Sequence, residues 1–366
     1  CIVIIYTLPI VINTNNEINI LSPITNIIFI DLVEGIILPF SLLVLCFPFL
    51  KKIYEFTIIA FSKITIWIGR NFYLPIKLPD FTYLSGLLFY FLLFLIGIFF
   101  YQQTRRRLCA IILVLFLIVV TKQNLFAFSG EVVFLDLYNG EATLIKEPFD
   151  RCNILIDTGD GTGSTVTGYL KSRGIFRLDY LILTHNHADH NGEALKVMNE
   201  IDVKNIIIGA YDSSETSKGS NIIRVKSGDI LSCGNLELMI LHPDQKYENE
   251  NDNSIVFYVK IGPKGFLFLG DASVKVEEKF INIPFPVDVI KIAHHGSSTS
   301  TSPLLLSALD PEYAIIQTGR VEKFGFPNSK TITNLQNQGI KVYRTDLDYS
   351  ITYRYKKKES IIETLG

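Results

Sequence analysis

The chain has 366 residues, enough for two or three domains. It is 48% hydrophobic and only 19% charged, with 26 Phe and 17 Tyr, which excludes a disordered chain and departs from an ordinary soluble one. A formal net charge of −2 excludes a globally basic nucleic-acid coat, and five Cys (Cys1, Cys46, Cys109, Cys152, Cys233) without repeated spacing argue against a disulfide scaffold or a CxxC zinc site.

The first residue is Cys rather than Met, so the chain reads as one that starts inside a longer protein. Residues 1–125 carry nine Lys or Arg against five Asp or Glu, leaving 25 basic and 31 acidic residues of the totals of 34 and 36 for the remainder. In chain order, residues 1–12 resemble the tail of an apolar span. Asp31 and Glu34 lie beside the next apolar run, facing either a bundle interior or the headgroup level. Residues 35–50 form a candidate span with Pro39 and Pro48 as kink positions. Residues 53–68 mix Glu55 and Lys63 into an apolar stretch that suits an interface or a cavity wall. Residues 81–103 make the strongest span, free of charge over a length that covers a hydrocarbon core of about 30 Å. Residues 108–120 form a shorter one. Successive spans argue against a secretory signal. The Arg105–Arg107 cluster places the turn between the last two spans in the cytoplasm and everything after Val120 outside, against a weaker signal from Lys51, Lys52 and Lys77.

From residue 130 short β-branched runs alternate with Gly, Asn and Asp turns. Strands are predicted at 131–137, 142–146 and 153–157, a helix at 166–172 and a buried strand at 179–183. Further strands follow at 206–208, 236–241, 255–260, 266–269, 287–292, 313–317 and 341–344, with helices near 303–309 and 329–336. The pattern is that of a layered α/β domain. Lys356–Lys358 reads as a solvated tail.

Three of the six His fall in THNHADHNG, after the strand DYLILT. His185 and His187 suit one ion, and Asp189 and His190, displaced along the turn, a second; imidazole with carboxylate fits Zn, Mn or Fe. FLFLGDAS ends a strand with Asp271, placed to bridge two ions. VIKIAHHGSSTSTSP ends another with His294 and His295. One of that pair can ligate, while the other, with Ser297 and Ser298, can hold a phosphate. His242, in LHPD, reads as an ordinary strand end rather than a ligand.

THNHADH, NILIDTGDGTG, Gly270–Asp271 and AHHGS, in this order and spacing, resemble the metallo-β-lactamase superfamily over about residues 130–355. The resemblance implies an αββα sandwich with a dinuclear metal site. Within it His185 and His187 are first-site ligands, Asp189 and His190 second-site ligands, and Asp271 the bridging carboxylate. His295 is favoured over His294 as the last ligand, and Asp157 buttresses the metal loop. More narrowly, EVVFLDLYNGEATLI, LKSRGIFRLDYLILTH, NDNSIVFYV, LQNQGIKVYRT and the apolar run with Arg105–Arg107 resemble the ComEC/Rec2 DNA-internalisation competence family. Leu137, Tyr138, Asn139 and Glu141 depart from the family's FLDVGQGDA, Glu193–Ala194 from its second glycine in DHxGG, and Phe326 from the His of its YGHP element.

This resemblance implies residues 1–125 as the C-terminal part of a polytopic all-α transmembrane domain and 128–366 as a hydrolase domain, extracytoplasmic by the charge pattern. It implies two divalent ions (Zn or Mn), DNA as partner, a single strand above all, together with the lipid bilayer and other competence uptake proteins. The expected chemistry is phosphodiester hydrolysis that degrades the non-transported strand, with Asp189 orienting the attacking group and His294, Ser297 and Ser298 meeting phosphate oxygens. Lys171, Arg173, Arg177 and Lys291 are candidates for a basic patch. The competing readings are a hydrolase of phosphocholine, lactone or thioester esters, and a structural part of a DNA channel.

Overall fold

Alternation of apolar residues with period two sends successive side chains of a strand to opposite faces. In this protein the strands at 130–134, 143–146 and 153–156 are buried on both faces along their whole length, whereas several others, such as 236–242, alternate. The structure, a computed structural model, describes residues 2–163, 165–212, 221–319 and 325–365. It divides into one unit of Cys1–Thr121 with Lys171–Gly174 and another of Lys122–Leu170 with Ile175–Gly366.

The first unit is helical apart from one antiparallel pairing. It contains α1 (Ile2–Asn15), α2 (Ser22–Leu32), α3 (Leu38–Cys46), α4 (Lys51–Asn71), α5 (Tyr83–Ile98) and α6 (Gln103–Thr121), with β1 (Glu17–Asn19) paired to β2 (Pro75–Lys77). The expectation of an all-α region is corrected by that pair. α2 and α3 run on through a π-helical turn at Val33–Ile37. This turn lies just before Pro39, whose missing N–H and ring would otherwise disturb a regular helix. The resulting stretch, Ser22–Cys46, is 25 residues long, apolar and unburied, and among the described residues it alone is long and apolar enough to cross a membrane. Asp31 and Glu34 therefore sit within an apolar run, not beside it. The run stops at Phe47, the residue before Pro48, where helical backbone is disfavoured.

The span expected at 81–103 is broken. Thr82 caps α5 by accepting from the Ser85 N–H at 3.2 Å. The helix then closes at Phe99–Gln102, with Phe100 N–H bonded to Gly97 O and Arg106 reaching back to Phe100 O at 3.1 Å. Sixteen residues give α5 a length of about 24 Å.

The second unit contains two sheets. The first begins with β3 (Gly130–Phe134), β4 (Thr143–Lys146), β5 (Asn153–Ile156), β6 (Arg177–Ile182), β7 (Asp202–Gly209) and β8 (Ile222–Val225). The second contains β9 (Ile230–Cys233), β10 (Leu236–His242), β11 (Val256–Ile261), β12 (Lys264–Phe268), β13 (Val289–Lys291), β14 (Tyr313–Ile316) and β15 (Lys341–Arg344). The chain then returns to the first sheet as β16 (Ile351–Lys356) and β17 (Glu359–Thr364), in the order β17-β16-β3-β4-β5-β6-β7-β8. Lys356–Lys358 is thus the turn of a hairpin rather than a tail.

Val132, Phe134, Ile154, Ile156, Phe257, Val259, Phe266 and Phe268 fill the space between the sheets. Their neighbours Val133, Leu144 and Leu155 pack instead with Val166 and Leu170 of α7 (Val166–Ser172) and Ala194 and Val197 of α9 (Ala194–Glu200), the short α8 (Ala188–Asn191) lying between these two in sequence. Val256, Leu267 and Ile290 pack with Val276 of α10 (Val274–Glu277), Leu305 and Leu306 of α11 (Pro303–Leu309) and Leu335 of α12 (Ser329–Asn337). The result is a sandwich of two mixed sheets with helices packed on both outer faces. A disulfide joins Cys152, which precedes β5, to Cys233 at the end of β9, across 81 residues and with Cα atoms 5.6 Å apart. Cys spacing gives no sign of this bond, since only the topology brings these two together. Cys46 and Cys109 are free.

Candidate metal centre

β5 runs parallel to β6, and β12 parallel to β13. Ligand sites in such sheets lie beyond the carboxyl ends of the strands. Each of these four ends carries one candidate segment: Asp157 after β5, His185–His190 after β6, Asp271 after β12 and His294–His295 after β13.

The segments converge. His185 Nε2 lies 3.1 Å from His187 Nδ1 and 3.7 Å from Asp271 Oδ2. His190 Nε2 lies 3.3 Å from Asp271 Oδ1, and His295 Nε2 lies 3.1 Å from Asp189 Oδ2. One group of potential ligand atoms joins His185, His187 and Asp271, and a second joins Asp189, His190 and His295, the atoms of each group within 4.8 Å of one another. His294 stands beside them, its Nε2 3.9 Å from Asp271 and its ring 5.4 Å from that of Phe326.

Asp157 fastens the loop. Its carboxylate accepts from the Thr184 N–H and hydroxyl, each at 2.8 Å, and meets His190 Nδ1 at 2.8 Å. His190 is therefore held with Nε2 directed at Asp271. Asp157, His294 and His295 all have left-handed backbone, with φ of 57°, 49° and 52°. This conformation strains non-glycine residues and is tolerated where the surroundings enforce it.

The donor set fits divalent cations. His190 Nε2 and Asp271 Oδ1 are buried, 3.3 Å apart, and neither makes a well-formed hydrogen bond. Leaving such atoms unpaired costs about 1–3 kcal/mol each, which a cation between them would offset. The charges agree. Burial disfavours an imidazolium at His190, but Asp271 and Asp157 outweigh it and hold its pKa well above the ordinary value. At His295 burial is likewise outweighed, by Glu141 and Asp189, which push the pKa up to about 10. Burial and the neighbouring His190 hold His185 well below the usual range. Burial would raise the Asp271 carboxyl, yet the neighbouring His190 charge keeps it well below the carboxylate range. Buried carboxylates retained as anions around positive charge are the electrostatics of a cation site, and ligand His must shed their protons on binding.

Other predicted residues are placed differently. Ser297 is buried, its hydroxyl paired with Thr299 Oγ1 at 3.0 Å, while Ser298 is exposed. Lys291, assigned by sequence to a basic patch, is buried and paired with Glu141. His242 stays outside both ligand groups, bonded through Nε2 to Asp252 O at 2.7 Å beside the Tyr247 ring. Glu193, where the family pattern has glycine, accepts from the Val166 and Thr167 N–H groups at 2.8 and 3.2 Å and so caps α7. The glycine that the loop does require is Gly192, where a Cβ would come within 2.6 Å of the Ala188 and Asp160 carbonyl oxygens.

Sequence reasoning missed Glu141, Gln317 and Asn251 as members of the site. Gln317 O lies 3.1 Å from His295 Nδ1, and Asn251 Nδ2 lies 3.4 Å from His294 Nδ1. For Glu141 the available signal was its place at the acidic position of the segment that resembles FLDVGQGDA.

Residues 135–320 match the family model described as the metallo-beta-lactamase superfamily. ComE operon protein 3 of Bacillus subtilis is 32% identical over 261 residues, covering 63% of this chain and 33% of that protein. Recombination protein 2 of Haemophilus influenzae is 33% identical over 223 residues, covering 59% of this chain and 27% of that protein. The chain thus spans about a third or less of the length of these relatives. Among solved structures, Igni18, a metallo hydrolase from Ignicoccus hospitalis, aligns with a TM-score of 0.46 at 19% identity over 62% of this chain and 100% of that one. The chain belongs to the metallo-β-lactamase superfamily, and the curated relatives it matches are of the ComEC/Rec2 kind.

Proposed function

We propose that this protein is a membrane DNA-uptake component whose sandwich is a dinuclear metal-dependent phosphodiesterase that degrades the DNA strand not transported. The observation that carries the reading is the convergence of His185, His187, Asp189, His190, Asp271 and His295 into two adjoining groups of potential ligand atoms. The choice of DNA rests on similarity to competence and recombination proteins. In this reading residues 1–125 are the end of a polytopic membrane domain, supported by outward apolar side chains such as Leu45 and Phe49, each 78% exposed. Residues 128–366 are the hydrolase. The Cys152–Cys233 bond supports an extracytoplasmic position for it, because disulfides persist in oxidising compartments.

Divalent cations, Zn or Mn, held by the six side chains supply Lewis-acid stabilisation of phosphoryl charge and ionise water near neutral pH. Asp271 lies between the two ligand groups and holds them at a fixed separation. Asp189 has one carboxylate oxygen against His295 and orients the attacking group with the other. His294 is partly exposed, and burial, opposed by Asp271, lowers its pKa. It is therefore neutral at physiological pH and able to exchange a proton with a substrate oxygen. Ser298, exposed on the following turn, is the hydroxyl that can meet a phosphate, with Ser297 shaping the turn beneath it.

The test is cleavage of end-labelled single-stranded DNA by the full chain in detergent with Mn²⁺ or Zn²⁺. The reading expects cleavage that falls more than about 100-fold in Asp189→Ala and His190→Ala, beyond the loss usual for groups behind the ligands. Hydrolysis of phosphocholine or thioester substrates with DNA left intact would favour the same site acting on another ester.

A further inference from the structure

Behind the candidate centre lies a buried ion pair for which the proposed chemistry has no use. Lys291, the last residue of β13, and Glu141, which leads into β4, are 4% and 2% exposed and paired through Lys291 Nζ and Glu141 Oε2. They are 150 residues apart in sequence. Taking both charges out of water costs several kcal/mol per ion, so such a pair is weak evidence of stabilisation in itself.

Its surroundings suggest another use. Glu141 Oε1, left free by Lys291, lies 3.1 Å from His295 Nδ1 and has no other partner. Gln317 O lies 3.1 Å from the same nitrogen. Two acceptors therefore face Nδ1, whereas Nε2 faces Asp189. The hydrogen of a neutral His295 belongs on Nδ1, and the lone pair of Nε2 is left for the second ligand group. The backbone of Glu141 joins the same assembly: its N–H bonds to Asp189 O at 3.1 Å and its carbonyl accepts from Gly159 N–H at 2.8 Å. One residue thus touches the Asp157 loop, the Asp189 loop and the His295 corner. That corner needs an external hold, because His295 is in the left-handed region and is followed by Gly296 with φ of 82°.

We propose that Glu141, locked by Lys291, is the positioning residue for His295, fixing the imidazole with hydrogen on Nδ1 and Nε2 presented to the second cation. The proposal rests on the metal-centre reading and adds to it a specific prediction about one of the two sites. Glu141→Gln turns an amide NH₂ toward the Lys291 ammonium, setting donor against donor. Glu141→Gln combined with Lys291→Gln removes that conflict. The amide introduced at position 141 then donates to the amide oxygen introduced at position 291, and its own oxygen still accepts from His295 Nδ1.

The experiment is Mn²⁺ titration of the full chain in detergent, followed by electron paramagnetic resonance, which distinguishes a single ion from a spin-coupled pair, with chelator competition for affinities. The wild-type chain is expected to take two coupled ions. Glu141→Gln is expected to keep the first ion, held by His185 and His187, and to lose affinity for the second by about 10- to 100-fold. The double variant is expected to regain most of that loss. Circular dichroism of the metal-free forms establishes folding, and if Glu141→Gln alone does not fold, the double variant decides. Coupled pairs in Glu141→Gln with wild-type affinity overturn the proposal, as does a folded double variant without the second ion. A wild-type chain that binds no Mn²⁺ or Zn²⁺ overturns the metal centre itself, and this proposal with it.

Discussion

In the sandwich, every residue of β3, β4 and β5 is buried, whereas α2, α3 and α4 bury none of theirs, although α3 reads LPFSLLVLC. Leu45, Phe49 and Trp67 are 78%, 78% and 59% exposed, while Phe134, Phe257 and Phe268 lie between two sheets. Apolar content alone is therefore a poor guide to what is inside. In a bilayer the backbone must satisfy itself and apolar side chains can face out. In water the same side chains must be covered, and a centre of buried charge needs a rigid frame to hold it. The unit with the larger covered core is also the one that carries the candidate ligand groups.

This contrast can be broken by mutation. Phe257, stacked on Phe268 with ring centroids 4.8 Å apart, should cost about 3–5 kcal/mol as Phe257→Ala. Phe49→Ala in the first unit should change stability by less than about 0.5 kcal/mol, as expected of an exposed site. Urea unfolding of the full chain in detergent measures both, and equal losses would erase the distinction. Next in size, Cys152→Ser should lower the stability of the sandwich by about 2–5 kcal/mol and leave the helical unit unchanged, read as separate transitions by circular dichroism.

His190 and His295 have folded pKa values raised above that of free histidine. Their protonation therefore stabilises the metal-free fold fully below pH about 6.5 and is lost as pH rises toward 10, the value for His295. Thermal unfolding of chelator-treated protein should show stability decreasing as pH rises from about 6.5 to about 9.5. Metal-loaded protein should run the other way at limiting metal, because the cations replace those protons. A flat profile in both states would contradict the charge arrangement. The smallest effect among the sandwich variants belongs to Glu193→Ala, which removes the cap of α7 and should cost about 1–2 kcal/mol without loss of metal.

The metal loop was the most legible feature, because His185, His187, Asp189 and His190 are neighbours in the sequence and Asp271 and His294–His295 each end an apolar strand. Most strands were legible for a related reason, their β-branched runs between turn residues. The hairpin of β16 and β17 was not, because Lys356–Lys358 looks like a solvated end when the strand it pairs with, β3, lies over two hundred residues upstream. The Cys152–Cys233 bond and the Glu141–Lys291 pair were hidden in the same way: each is a contact between distant segments that only the topology creates. In the helical unit composition marked apolar stretches but not their ends. Those depend on Phe47 before Pro48 and on the turn at Phe99–Gln102.

In the proposed centre, side chains from three separated segments together grip two cations. The most direct measurement is the metal content of the purified full chain by mass spectrometry, compared between wild type and Asp271→Ala. Two divalent ions per wild-type chain, falling to one or none when the carboxylate between the two ligand groups is removed, is the result expected. Wild-type protein without stoichiometric metal, or a variant that keeps both ions, would contradict it.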